Sequence, residues 1–137
     1  MLKENKNLAE AITDSKLNDK ARKKLLSRLE AFGADNEFYR LLDDCLREEG
    51  SMQSGQFFAD IAEYGRAAAK LEDWLDLQND KLLAEVTPKA ANKTLSDPER
   101  GAIWKEHHSL VRAVRLDYEE RLRDAAAELI RSIPPLS

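Results

Sequence analysis

Two segments of this chain carry apolar residues at alternating spacings of three and four, each running on far longer than a strand or an ordinary helix. From Ser54 to Val86 the positions are Phe57, Ile61, Tyr64, Ala68, Leu71, Leu75 and Leu82, with Gln78 in the one polar slot. From Asp97 to Ile133 they are Ile103, His107, Leu110, Val114, Tyr118, Leu122, Ala125 and Leu129. This is the spacing of a heptad-like seam, in which one narrow stripe of a helix faces a neighbour. At about 1.5 Å rise per residue each helix would be on the order of 50 Å long.

The ends of both segments are marked. Thr87 and Pro88 should close the first, because proline disfavours the helical region for the residue before it. "SDPE", Ser96 to Glu99, opens the second, either as a capping box or with Asp97 as the cap and Pro98 at the first helical position. No further proline occurs until Pro134. Joined by a short connection, the two helices should fold back as an antiparallel hairpin. A symmetric turn would set Phe57 and Phe58 opposite Ala125 to Ala127, Ala67 to Ala69 opposite Val114 to Leu116, and Gly65 opposite Tyr118. Acids on the first helix (Asp60, Glu63, Glu72, Asp73, Asp76, Asp80) and bases on the second (Lys105, Arg112, Arg115, Arg121, Arg123, Arg131) agree with that orientation. Exposed pairs contribute only about 0 to 1 kcal/mol each, so they bear on orientation more than on stability.

Ahead of the hairpin the signals are shorter. A first helix over Glu4 to Thr13 presents Leu8 and Ile12 one turn apart. A second, from Asp19 to Phe32 with Asn18 as cap, should bury Ala21, Leu25, Leu29 and Phe32 and stop at Gly33. A third follows Asp35 and Asn36 and runs to Gly50, with Phe38, Leu41, Leu42, Cys45 and Leu46 on one face. "GSMQSGQ", Gly50 to Gln56, reads as a linker. The expected fold class is therefore all-α: a short-helix part over residues 1–50 and a long helical hairpin over 51–137, the two forming one compact unit.

Composition narrows the function classes. With 137 residues, 35% of them charged and 42% hydrophobic, the chain can bury a core without disulfide or metal. The amino terminus "MLKENKNLAEAI" lacks the apolar run of a secretory signal, and no segment has the roughly 18 uninterrupted apolar residues of a membrane span. A cytoplasmic protein without a membrane partner is expected. Cys45, the single cysteine, falls in an apolar stripe and is expected to pack. The net charge of −4 is uneven. Residues 1–34 hold eight Lys/Arg against five Asp/Glu, residues 35–87 five against thirteen, and residues 88–137 nine against eight. Such asymmetry suits segments that pack on each other or on a second copy.

The doubled histidine His107-His108 is the one feature that suggests chemistry. Di-iron helical bundles need Glu three residues before each ligand histidine, and here those positions are Trp104 and Lys105. Adjacent helical residues also point about 100° apart and do not share one ion easily. Phosphoryl transfer on His108, with Arg112 four residues on as cation, lacks the glycine expected close by to leave room for the phosphate. No phosphate loop, nucleophile elbow or acid–base pair stands out, so no enzyme, metal or cofactor is expected.

What remains is helix-mediated binding. Trp74, Leu77, Leu83, Trp104 and Val111 lie off the seam, and two helices alone do not cover so wide an apolar surface. Trp74, Trp104, His108 and Val111 are assigned to partner contact, with His108 as a candidate pH-sensitive contact. The expected function is a non-enzymatic protein–protein interaction module, adaptor-, chaperone- or inhibitor-like, that self-associates as a homo-oligomer. The alternative is a nucleic-acid accessory protein that contacts phosphates through the basic helix 20–28, chiefly Lys20, Lys23, Lys24 and Arg28.

Overall fold

The computed structural model describes residues 3–50 and 55–133, with side chains over 4–48 and 59–133. A 3₁₀ turn, Lys3–Asn5, leads into α1 (Lys6–Thr13). There follow α2 (Asp19–Phe32), α3 (Asn36–Gly50), α4 (Gly55–Ala90) and α5 (Asp97–Arg131). No strand occurs among the described residues. The fold is all-α, with short amino-terminal helices followed by a long antiparallel helical hairpin. Residues 51–54, the middle of the expected linker, lie outside the described residues, and Gly55 and Gln56 already belong to α4. The chain divides into two compact units, Met1–Ala68 with Leu122–Ser137, and Ala69–Arg121.

The first unit is built on sharply capped helices. Asn18 Oδ1 accepts from the Ala21 amide at 2.8 Å and opens α2. Gly33, at φ +73°, ends it in the left-handed region where a side chain would be strained, and its amide donates to Leu29 O at 2.9 Å. Two residues on, Asp35 Oδ1 accepts from the Phe38 amide at 2.8 Å and starts α3. Arg28 Nη2 donates to Asp35 Oδ2 at 2.5 Å. That bond and the Phe38 amide hold the Asp35 carboxyl below the usual carboxylate range.

The corner thus pins α2 against α3, and their apolar stripes meet. Leu8 and Ile12 of α1, Leu25 and Leu29 of α2, and Phe38, Leu42 and Leu46 of α3 are buried. They share one cluster with Ala126, Ala127, Leu129 and Ile130 of α5, and Ile61 and Tyr64 of α4 pack against its edge. Small residues on α5 let the short helices approach closely. Cys45 is buried in this core, as its place in the stripe required. Polar ties at the rim join Asn7 to Asp124 at 3.2 Å and Arg131 to Asn7 at 2.6 Å.

Phe32 departs from expectation. It was placed in the core of α2 by spacing, yet it is 66% exposed. As the last residue of α2 it stands where the chain has already begun to turn at Gly33, and the Arg28 guanidinium lies 4.1 Å from its ring centre instead.

In the second unit the end of α4 and the start of α5 pack as an antiparallel pair. Leu75, Val86, Ala90 and Tyr118 are buried, while Leu71, Leu82, Ile103, His107 and Val114 along the seam are only half-buried. Asn79 buries its side-chain carbonyl oxygen with no donor among the described residues, an arrangement that weakens the packing there. Of the two possible starts for α5, the capping box forms. Ser96 Oγ accepts from the Glu99 amide at 3.3 Å, and the Ser96 amide donates to Glu99 Oε1 at 3.4 Å.

Two expectations about the hairpin are corrected. Pro88 does not end α4, which continues to Ala90. Proline's φ is itself compatible with a helix, the forfeited hydrogen bond falls on an exposed surface, and burial of Val86 and Ala90 holds the last turn down. The free carbonyls beyond it are met by Arg100, which donates to Ala90 O at 3.0 Å and to Asn92 O at 3.2 Å.

The register is the second correction. In the second unit Leu82 and Leu110 line one cleft, and in the first Ala67 and Ala125 line another, so facing residues are displaced by roughly two helical turns from the symmetric-turn expectation. The displacement starts where α4 outlasts Pro88, which moves the turn along the chain. Gly65 makes no room for Tyr118: it is exposed, with no heavy atom within 4 Å of where a Cβ would stand. The side chains of Phe57 and Phe58 lie outside the described ones.

Candidate interaction surface

The second unit is where apolar side chains meet solvent. Leu77, Leu83, Leu110 and Leu116 are each between 45% and 54% exposed, and Trp74, Trp104 and Val111 are half-buried. A two-helix hairpin has one seam, so every apolar residue beyond it must find another cover or stay in water.

These residues fall on two sides of the seam. On one, Leu82, Val86, Ile103, His107 and Leu110 line a shallow cleft of about 70 Å³, bordered by Glu85, Lys89 and Glu106. Trp74 belongs to this side by its helical position, and the Arg121 guanidinium covers its ring at 4.6 Å.

The other side carries two charged stripes. Glu72, Asp76, Asp80 and Leu83 recur at helical spacing along α4, and Lys105, His108, Arg112 and Arg115 along α5. Tyr118 shows that the stripes share a side. Its phenol is pushed above the ordinary range first by burial and then by Glu72, with smaller contributions from Glu119 and Asp76, against the opposing pull of Arg115. Arg115 lies 5.4 Å from the Tyr118 ring centre.

Trp104 stands at the end of this side near the turn. Its ring meets His107 edge-on at 5.6 Å and His108 at 6.3 Å, and the two imidazoles are 5.6 Å apart. Val111 follows one turn beyond. The fold therefore brings together three of the four residues assigned to partner contact, Trp104, His108 and Val111, and sets Trp74 across the seam.

The ion pairs of the second unit's α5 run along that helix. Arg115 bonds Glu119 and Arg121 bonds Asp117, both within α5 and both at 3.2 Å. Glu72, Asp73, Asp76, Asp80, Lys105 and Arg112 make no ion pair among the described residues.

The basic helix fares differently. Lys20, Lys23 and Lys24 are exposed, but Arg28 is committed to Asp35 and to the Phe32 ring. Lys20 and Lys24 border a small cleft of about 120 Å³ with Glu48, which sets an acid beside them. Cys45 reaches that cleft from the core side. A cleft of about 260 Å³ in the first unit lies between α4 and α5, lined by Tyr64, Ala67 and Leu129 together with Asp60, Glu63 and Glu128. Sequence reading did not find it, because it depends on the true register of the two helices. Among the described residues no three His, Cys, Asp or Glu side chains gather as a metal site would require.

No family model matches the chain, and no curated protein or solved structure matches it either.

Proposed function

We propose that this chain is a non-enzymatic helical interaction module that associates with a second copy of itself in the cytoplasm. One observation carries the reading: half-exposed Leu83 lies with half-buried Trp104 and Val111 on one side of the Ala69–Arg121 unit, and half-exposed Leu110 with half-buried Trp74 on the other. Such a concentration of apolar surface marks an interaction site more often than an ordinary solvated face. No described helix is long and apolar enough to cross a membrane. Protein is the cover that fits, by the helix-on-helix packing that already forms the seam.

The test is the mass of the full chain in solution by light scattering, together with Val111→Asp. A mass above that of one chain, falling with the substitution while helicity is retained, is expected. A strict monomer would remove self-association from the reading. Salt-sensitive binding to random duplex, lost in Lys23→Glu/Lys24→Glu, would replace it with the phosphate-contacting alternative.

A further inference from the structure

Resting on that reading, we infer that the second copy docks on the side of the hairpin that carries Leu83, Trp104 and Val111. The two hairpins lie face to face with their turns at the same end, so that α4 of each copy runs against α5 of the other.

Charge sorting on that side makes the choice. Its α4 stripe is acidic, Glu72, Asp76 and Asp80, and its α5 stripe is basic over Lys105, Arg112 and Arg115, with the acid Glu119 following one turn after Arg115 and paired to it. Of these six only Arg115 has an ion-pair partner among the described residues, and that partner is on its own helix. The register sets Leu82 level with Leu110, which puts Asp80 level with Arg112 and Asp76 close to the level of Arg115. Within one chain the two stripes lie side by side and face outward.

A face-to-face pair of identical copies has two simple two-fold arrangements. If the axis runs along the hairpin, the acidic stripe of each α4 meets the basic stripe of the other copy's α5, with Asp80 and Arg112 at one height. If the axis runs across the hairpin, α4 meets α4 and α5 meets α5, acid on acid and base on base. Like charges brought together across an interface disfavour it strongly, so the first arrangement is selected. Leu83, Val111 and Trp104 then lie between the charged stripes as the apolar centre of a four-helix bundle. The hairpin face is roughly 30 Å long and 20 Å wide, on the order of 600 Å² per copy, near the lower end of specific interfaces. The cleft side offers no such sorting: Glu85 and Lys89 stand together on α4 there, and Trp74 is already covered by Arg121.

The experiment uses the full chain and two charge reversals, Asp76→Arg/Asp80→Arg and Arg112→Glu/Arg115→Glu, followed by sedimentation velocity. Wild type is expected to sediment as a dimer at tens of micromolar. Each variant alone should associate roughly a hundredfold more weakly or worse. Mixed in equal amounts they should dimerise again, because the altered α4 of one meets the altered α5 of the other. That rescue also excludes misfolding as the cause of either loss. Orientation is read separately from a nitroxide label on Lys93→Cys, in the exposed turn, in a Cys45→Ala background. Turns at one end predict a label separation under roughly 25 Å, and the opposite arrangement roughly 35 Å or more.

A wild-type monomer overturns both this inference and the self-association on which it rests. A wild-type dimer that survives either reversal, whose variants fail to rescue each other, or that gives the long label distance overturns only the inference.

Discussion

The two units solve the same packing problem to different degrees. In Met1–Ala68 with Leu122–Ser137, three short helices share one buried cluster with residues of α5, and Phe38, Leu8, Ile12, Leu25, Leu29, Leu42 and Ile130 are all but sealed from water. In Ala69–Arg121 one helix pair forms a single seam, and among its described residues Leu75, Val86, Ala90 and Tyr118 are buried. The difference is a matter of layers more than of composition. A helix that touches neighbours on several sides can hide a wide stripe, whereas one with a single neighbour hides little beyond the seam. The first unit therefore reads as the part that makes the fold stable, and the second as the part with surface left to offer.

Substitutions can break or sharpen that contrast. The largest effect is expected from Phe38→Ala, which should remove about 3 to 5 kcal/mol of stability in denaturant unfolding, since the ring is fully buried in the core. A loss under about 1 kcal/mol would mean that the first unit is not a packed core. Pro88→Ala should act in the opposite sense, stabilising the hairpin by about 2 kcal/mol: it restores a helical donor and lowers intrinsic strain, less a part returned by the freer unfolded chain. Hydrogen exchange around residues 84–90 should slow.

Asn18→Ala should cost about 1 kcal/mol through the lost α2 cap, with a fall in melting temperature. Leu116→Ala should change stability by less than about 0.5 kcal/mol, because that side chain is half in water and faces away from the seam. A clearly larger loss at Leu116 would show that a further surface of the hairpin is covered in solution.

The smallest effects are those of pH, and they separate the units. Asp35 has a folded pKa below its unfolded value, so its contribution to the α2–α3 corner is fully present above the ordinary carboxylate range. It is lost as pH falls through the depressed value, loosening the first unit. Tyr118 has a folded pKa above the ordinary phenol value, so the fold favours the neutral ring. That contribution is present below about pH 10 and lost as pH rises through the raised value, loosening the second unit. Absorbance titration of the three tyrosines should show Tyr118 ionising late, and Glu72→Gln should bring it earlier. A Tyr118 that titrates like a free phenol would mean that the hairpin seam is open to water.

Helix boundaries were legible where a local rule applied without competition. Asn18, Gly33, Asp35 and Ser96 act at caps that depend on a few neighbouring backbone groups, and each does what its side chain allows. Pro88 and Phe32 were misread for one reason: the rule that applied was local, and the outcome was set by what packed nearby. Val86 and Ala90 held a helical turn beyond the proline, while the chain reversal at Gly33 left Phe32 outside the core. The candidate surface was half legible. Spacing alone places Trp104, His108 and Val111 on one stripe of α5, but the side of the hairpin on which α4 presents its acids depends on register.

The amino-acid sequence by itself determined the all-α class, the five helices, the caps at Asn18, Gly33 and Asp35, the apolar stripes and the separation of acids on α4 from bases on α5, because all of these follow from hydrogen bonding and periodicity within a few turns. Tertiary structure alone decided the helix register, the burial of one unit against the exposure of the other, and the grouping of the charged stripes with Trp104 and Val111. Those depend on which distant surfaces meet, and contact free energies between helices are summed over the whole interface, so no single residue announces the result.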